Sequence, residues 1–409
     1  MAGSTGTPVA SSAAFADIDP TAVRSARNAD LLVFAANGLL LATWMSRLPD
    51  VKTGMALTPG RLGLLLLAIS LGSLTGLPLA GRIIERIGTV RVIRGFGLLA
   101  AGGLTIAAAL ATAGQPFAAV ALCLLCFGFG GGIWDVAQNL EGTMIEQGLG
   151  RAIMPWFHAA FSGGTLLGAL LAIPLIKAGL PVSVHVAIIA ALVAATLLLG
   201  SRRFISDRIP APATTDDGLA AKKPRSAWTE PRTLIIGVMV LAAAFTEGTA
   251  NDWLAVAFVD GHDLAPAMGV FGLAAFLSCM TLGRILGATL LDRYGRVPVL
   301  RVLFGCAAVG SLLVVFGSTA LAFVGAAIWG LGSSLGFPVG MSAAADDPER
   351  AAVRLSVVAT IGYGAFLAGP ALVGFLGDHV GTLKALSVVG LFSVIALLAV
   401  PAAKPLPHE

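Results

Sequence analysis

Long runs of apolar residues alternate along this chain with short breaks that contain glycine, proline or charged residues. A helix rises about 1.5 Å per residue, so about 20 apolar residues cross the ~30 Å hydrocarbon core of a bilayer. On that rule the pattern predicts twelve spans, at residues 28–48, 61–84, 91–113, 117–144, 152–177, 180–200, 233–258, 266–291, 297–318, 320–343, 353–376 and 383–402.

Three segments lack the apolar pattern. Residues 1–26 are rich in small and polar residues, which predicts a disordered N-terminal tail rather than a signal peptide or a span. Residues 202–232 are polar and proline-rich, which predicts a flexible linker between an N-terminal bundle (27–201) and a C-terminal bundle (233–403). Residues 404–409 are left as a short C-terminal tail.

The composition agrees with a membrane protein. Of 409 residues, 57% are hydrophobic and only 12% are charged, whereas soluble proteins average about 25% charged residues. This excludes an ordinary cytosolic enzyme, a nucleic-acid-binding protein and a secreted disulfide scaffold. All four cysteines lie in apolar runs, which predicts free core thiols. No P-loop or metal-ligand spacing is present, so we expect neither an enzyme nor a cofactor or metal site.

Basic residues predict the orientation. If the N-terminus is cytoplasmic, 20 of the 26 lysines and arginines lie in cytoplasmic loops and tails, five lie outside and Arg284 lies within a span. The positive-inside rule then places both termini in the cytoplasm. The net charge of +4 thus reflects the orientation of the chain in the membrane and not a nucleic-acid-binding surface. We expect a monomer in the inner membrane whose partners are lipid, a small solute and protons.

A loop signature occurs twice. Gly81, Glu85, Arg86 and Gly88 follow the second span, and their second copy follows the eighth span at a constant distance of 207 residues. That copy consists of Asp292, Arg293, Gly295 and Arg296. Duplicated topology with a shared signature predicts two pseudo-symmetric six-helix bundles, with a binding site between them near mid-membrane.

These residues resemble the major facilitator superfamily (MFS) signature G-x-x-x-[DE]-R-x-G-[RK], with Thr89 and Ala288 as departures. The resemblance covers the whole chain and implies the MFS fold of a secondary transporter. The acidic residues of both copies could latch the halves on the cytoplasmic side, or could only cap helices and fix topology.

A narrower resemblance lies on the fourth and fifth spans. Residues 132–139, Glu146, Gly150, Arg151, Met154, His158 and residues 161–163 are similar to the YbjJ-like branch, a distant relative of fucose-permease-type proton symporters. This resemblance implies proton-coupled transport without implying a substrate.

Ionisable groups inside a span are costly and usually functional. On the fourth span, Asp135, Asn139 and Glu146 share one face, and Asp135 lies about 16 Å deeper than Glu146. Trp134, Gln138 and Glu141 form an adjoining stripe. Two polar stripes predict a helix that faces an aqueous cavity, although interhelical hydrogen bonds could explain the amides.

The proton-coupling candidates are Asp135, Glu247 and His158. Glu247 lies mid-span on the seventh helix, whereas His158 could relay protons or serve as a neutral packing donor. Arg284 needs a carboxylate or an anionic substrate group, and a counter-charge in the N-terminal half would make a latch between the halves. The substrate-binding candidates are Asn37, Trp134, Gln138, Asn139, Glu141, Asn251 and Arg284.

The sequence therefore predicts a transporter that moves a small polar, sugar-like solute by alternating access, coupled to protons as a symporter. The alternatives are proton-coupled efflux of an amphipathic metabolite or drug, uniport without protons, and a non-transporting membrane sensor. The fifth span lacks the Gly-Pro pair typical of drug antiporters, which counts against efflux, and the polar linker counts against a sensor.

Overall fold

The computed structural model describes residues 19–150, 153–208, 226–347 and 350–405. Within these ranges the chain is helical and contains no strand. Its α-helices are α1 Pro20–Gly54, α2 Pro59–Ile87, α3 Thr89–Thr112, α4 Phe117–Leu149, α5 Met154–Lys177, α6 Val182–Gly200, α7 Pro231–His262, α8 Pro266–Tyr294, α9 Arg296–Phe316, α10 Thr319–Ser333, α11 Gly336–Ala344, α12 Ala351–Val380, α13 Thr382–Ala385 and α14 Ser387–Ala399.

The twelve predicted spans are confirmed, since twelve helical segments are long and apolar enough to cross a membrane. The tenth span is interrupted between α10 and α11, and the twelfth between α13 and α14. These short breaks leave the apolar pattern unchanged, so the pattern did not reveal them.

The first span begins earlier than predicted, at Pro20 rather than near residue 27. Asp19 caps this helix by accepting a 2.8 Å hydrogen bond from the Thr21 amide, and Pro20 suits the first helical turn. Val23 and Ala26 are buried, so the predicted tail is too long at its C-terminal end. Residues 1–18, most of the predicted linker (209–225) and residues 406–409 lie outside the described part of the chain.

Helices α1–α6 pack on one another, as do α7–α14, and we call these groups the N-half and the C-half. Glycines allow close backbone contact within the N-half. A Cβ atom at Gly38 of α1 would lie 2.1 Å from the Phe161 carbonyl oxygen of α5, so only glycine fits there.

Because the number of spans is even, both termini lie at one end of the bundle, here called the terminal end. The halves meet at the opposite end. There Lys52 of α1 pairs with Asp260 of α7 at 2.8 Å, and the Gly60 amide of α2 donates to Asp378 of α12 at 2.9 Å. The structure is thus closed between the halves at the opposite end.

Candidate functional site

Arg284 of α8 is the centre of a polar cluster between the halves. Its guanidinium binds both carboxylate oxygens of Glu247 on α7, at 2.8 and 2.9 Å. It also donates to the Ser334 carbonyl at 3.3 Å and, across the interface, to the Ser162 hydroxyl of α5 at 3.0 Å. The arginine and glutamate side chains remain 28% and 22% exposed, so water reaches the pair.

This geometry corrects the expected latch. The counter-charge of Arg284 is Glu247 of its own half, and the link to the N-half is a neutral hydroxyl. Spacing along α7 and α8 placed both residues at mid-depth but could not reveal that they face each other. Ser162 was overlooked as a functional residue, and its only signal was its place in the branch resemblance.

His158 lies one turn before Ser162 on α5 and is exposed. Its ring meets Phe34 edge-on, with centroids 5.7 Å apart, and it lies near enough to Arg284 for the two groups to interact electrostatically. It makes no hydrogen bond with any residue that the structure describes, so the packing-donor interpretation has no acceptor here. Its role in proton relay stays a prediction.

Asp135 of α4 is half-buried at the interface between the halves. Its carboxylate accepts a 2.9 Å hydrogen bond from the Gln138 amide, and the Asn139 amide donates to the Asp135 carbonyl at 2.8 Å. Tyr363 of α12, in the other half, lies close enough to interact with the Asp135 charge. Among the described residues, no basic side chain forms an ion pair with Asp135.

The second stripe on α4 does not line a cavity. Trp134, Gln138 and Glu141 are all fully buried. Trp134 packs beside Gly97 of α3, Gln138 holds Asp135, and Glu141 accepts hydrogen bonds from the Ile205 and Ser206 amides at 2.7 and 3.0 Å. In this conformation this side of α4 packs against α3 and the 205–206 segment, and the substrate-binding roles of the three residues stay predictions.

Asn37 and Asn251 are half-buried, on α1 and α7. The side-chain oxygen of Asn251 is buried and has no hydrogen-bond partner among the described residues. Such an acceptor is available to a ligand. The substrate-binding roles of both asparagines, like those of Asn139 and Arg284, stay predictions.

The duplicated motif forms two similar turns. Gly88 and Gly295 have φ angles of +84° and +77°, a region that favours glycine. Asp207 caps the first turn by accepting from the Thr89 and Val90 amides at 2.7 and 3.2 Å. In the second turn, Arg296 binds Asp346 at 2.6 Å instead.

The acidic members of the motif are not latched. Glu85 and Asp292 are exposed, and neither forms an ion pair within the described ranges. Arg86 is exposed as well, and Arg293 lies over the Tyr294 ring. Gly81 has open space where a Cβ would lie. Among the described residues, the motif side chains thus form no ion pair or hydrogen bond between the halves in this conformation, which is closed at the other end.

One buried acid was overlooked. Asp30 of α1 is 0% exposed, and neither of its carboxyl oxygens has a described hydrogen-bond partner. The rule that flagged Asp135 applies equally to Asp30, since both are ionisable groups within spans. Its place near the start of the predicted span made it resemble a helix-end charge.

Comparison with known proteins agrees with the fold. Residues 31–370 match the family model of the Major Facilitator Superfamily, with a further match at 271–409. An uncharacterized transporter of Sinorhizobium fredii is 32% identical over 91% of this chain and 96% of its own length. An uncharacterized MFS-type transporter of Yersinia pestis is also 32% identical, over 90% and 91%.

Solved structures share the fold at low identity. The nucleoside transporter NupG has a TM-score of 0.72 and 16% identity, covering 93% of this chain and 100% of its own. A bacterial homolog of the human lysosomal transporter Spinster has a TM-score of 0.73 and 14% identity, covering 94% and 98%. With the family match over most of its length, this chain belongs to the Major Facilitator Superfamily of membrane transporters.

Proposed function

We propose that this protein is a proton-coupled symporter of a small polar solute, located in the inner membrane with both termini in the cytoplasm. The supporting observation is Asp135, a half-buried carboxyl between the halves that is held by an amide and not by a cation. A carboxyl without a basic partner gains or loses a proton without breaking an ion pair. That freedom suits a group that must load and unload protons in each cycle.

The Arg284 cluster suits substrate recognition. A guanidinium and a carboxylate, both reached by water, offer donors and acceptors at one point, and the Ser162 contact joins them to the other half. A solute bound here would contact both halves, so its binding would bias their relative movement. Hydroxyl-rich solutes such as sugars, polyols and nucleosides match these groups. Nucleosides are included among the solutes to be tested because NupG, of similar fold, is a nucleoside transporter.

In the proposed cycle, the present conformation opens toward the cytoplasm. Protonation of Asp135 removes a charge from the interface and lowers the cost of closing dry surfaces over it. The motif acids at the terminal end would then form their contacts when that end closes. Import follows when the outward-open state binds solute and proton together.

The test uses proteoliposomes that contain the full-length protein. Sugars, polyols and nucleosides are added one by one, and solute-dependent proton uptake is recorded. With the solute that responds, Asp135→Asn should abolish accumulation driven by a pH gradient while retaining solute exchange at equal pH. Glu146→Gln is the matched control on the same helix, because the hydrogen bonds of Glu146 with described residues are those that cap α5, from the Ile153 and Met154 amides.

Three results would contradict the proposal. Undiminished pH-driven uptake in both Asp135→Asn and Glu247→Gln would dismiss the proton-carrier assignment. Transport that ignores the pH gradient in the unaltered protein would indicate uniport. Outward movement of an amphipathic solute against proton entry would indicate efflux.

A further inference from the structure

Asp30 occupies an enclosed place that the proposed transport cycle does not use. It is fully buried, and both oxygens lack a described hydrogen-bond partner. Ala26 and Phe34, one turn before and after it on α1, belong to an apolar cluster with Ile145 of α4 and Ile205. A carboxylate in such surroundings costs several kcal/mol unless something compensates its charge.

A second carboxyl lies beside it. Glu141 of α4 is also fully buried, and its charge acts on Asp30. Glu141 accepts the Ile205 and Ser206 amides, and the Ser206 hydroxyl oxygen is buried at the same place. Backbone donors stabilise the ionised form of Glu141, which leaves Asp30 as the acid whose charge has no compensation.

The nearby basic side chains do not supply that compensation. Arg27 of α1 turns to the Asn28 side chain, with contacts of 2.9 and 3.1 Å. Arg202 and Arg203, after α6, are exposed. No arginine or lysine forms an ion pair with Asp30 or Glu141 in the part of the chain that the structure describes, and Asp207 adds a further negative charge near Glu141.

We propose that Asp30 and Glu141 form a binding site for one monovalent cation, either a proton or Na⁺, separate from Asp135. Buried carboxyl oxygens and a neighbouring hydroxyl are suitable ligands for a hard cation, and a shared proton would compensate the same charge. Because Glu141 also binds the 205–206 segment, the cation would fasten the beginning of the linker to the N-half.

Thermal unfolding of the detergent-purified full-length protein tests the site. Tm is measured in NaCl and in choline chloride at equal ionic strength, from mildly acidic to mildly alkaline pH. A ligand of the folded state raises Tm by mass action. We expect the unaltered protein to gain several degrees with Na⁺ at alkaline pH if Na⁺ is the ligand, or with acid but not with Na⁺ if the ligand is a proton.

Asp30→Asn should remove most of that dependence, because a neutral amide needs no cation. Its Tm under cation-poor alkaline conditions should equal or exceed that of the unaltered protein. Glu141→Gln keeps one acceptor oxygen for the linker amides and should also flatten the dependence, which provides a second variant if Asp30→Asn does not fold. Glu146→Gln is the control that should keep it.

Two outcomes would overturn the proposal. The first is a Tm of the unaltered protein that responds neither to Na⁺ nor to pH. The second is an unchanged dependence in the Asp30 and Glu141 variants, which would assign the effect to other groups. The transport proposal is tested by solute-dependent proton uptake and this site by Tm in the Asp30 and Glu141 variants, so failure of the one is distinguishable from failure of the other.

Discussion

The two halves hold their carboxyl groups in different ways between mid-depth and the terminal end. In the N-half four carboxyls accept hydrogen bonds from amides. The contacts are Asp135 with Gln138, Glu141 with Ile205 and Ser206, Glu146 with Ile153 and Met154, and Asp207 with Thr89 and Val90.

In the C-half four carboxyls bind arginines. The pairs are Glu247 with Arg284, Asp346 with Arg232 and Arg296, Glu230 with Arg350 and Arg354, and Asp347 with Arg354. An ion pair keeps a carboxyl charged, and amide donors also favour the charged form, but amides bring no counter-charge that is left unpaired when the carboxyl takes up a proton. This difference supports the proposed proton-binding role of Asp135 in the N-half and the proposed substrate-binding role of the Arg284 cluster in the C-half.

The largest expected effect comes from breaking the central ion pair. Arg284→Gln leaves the Glu247 carboxylate without its cation and removes the Ser162 contact, so transport should be lost. Unfolding free energy should fall by about 2 kcal/mol, the typical value for losing hydrogen bonds to a charged group. Solute uptake in proteoliposomes and Tm in detergent measure the two effects.

A double-mutant cycle is the control for this pair. Glu247→Gln together with Arg284→Gln removes both charges, so it should recover much of the lost Tm without recovering transport. If the Tm losses of the two single variants simply add in the double variant, the two side chains do not stabilise each other. Glu247 would then no longer be an example of a C-half carboxyl held by an arginine.

The motif turns provide the next effect. Alanine at Gly88 must adopt a φ near +84°, with its Cβ about 2.9 Å from the Asp207 carboxylate, so Gly88→Ala should cost about 1–2 kcal/mol. Gly81→Ala is the matched control, because a Cβ there meets nothing within 4 Å. Tm should fall for the first variant and not for the second.

Transport adds a second reading of the same variants. If Gly81→Ala keeps its Tm but loses transport, another part of the chain must come close to Gly81 only in the state in which the terminal end is closed. If Gly88→Ala keeps its Tm, the turn does not require glycine and the comparison of the two motif copies loses its structural basis.

Much of the fold was predictable because membrane thickness acts on sequence directly. Each apolar run had to match the bilayer, so twelve spans and their order followed from length alone. The repeat from Glu85 to Asp292 added the two-fold organisation. The helix start at Pro20 and the breaks near Leu335 and Leu386 did not follow, because capping contacts and local backbone angles leave the apolar count unchanged.

The site was predictable in its residue types but not in its pairs. Asp135, Glu247 and Arg284 are conspicuous because charge is rare within spans. Which helix faces which depends on packing, so sequence could not match Arg284 with Glu247. Helical spacing also could not tell that the Glu141 side of α4 faces the protein, and Glu141 was therefore assigned to the cavity.

A smaller effect is expected at the terminal end of the C-half. Burial acts to raise the pKa of Glu230, but hydrogen bonds from Arg354 and Thr233 and the charges of Arg354 and Arg350 outweigh it, so the pKa lies below its usual range. Glu230 therefore stabilises the fold fully above the unfolded-state pKa of about 4.3, and this contribution is lost as pH falls through the folded-state pKa.

Glu230→Gln should thus lower the unfolding free energy at neutral pH by about 1 kcal/mol, which is seen as a lower Tm. In acid, the Tm values of the variant and of the unaltered protein should become equal. Glu85→Gln is the control, since Glu85 is exposed and forms no ion pair with a described residue. A difference that persists unchanged in acid would mean that the Glu230 charge does not act through its arginines.

The smallest change in stability is expected at Asp135. Asparagine keeps an oxygen that accepts from Gln138, and no ion pair is lost, so Asp135→Asn should shift the unfolding free energy by no more than about 0.5 kcal/mol. Tm close to that of the unaltered protein, combined with lost proton coupling, would place the function of this residue in its charge alone. A loss of unfolding free energy as large as that of Arg284→Gln would instead mean that a cation holds Asp135 in the folded protein. The N-half and the C-half would then not differ in how they hold their carboxyl groups.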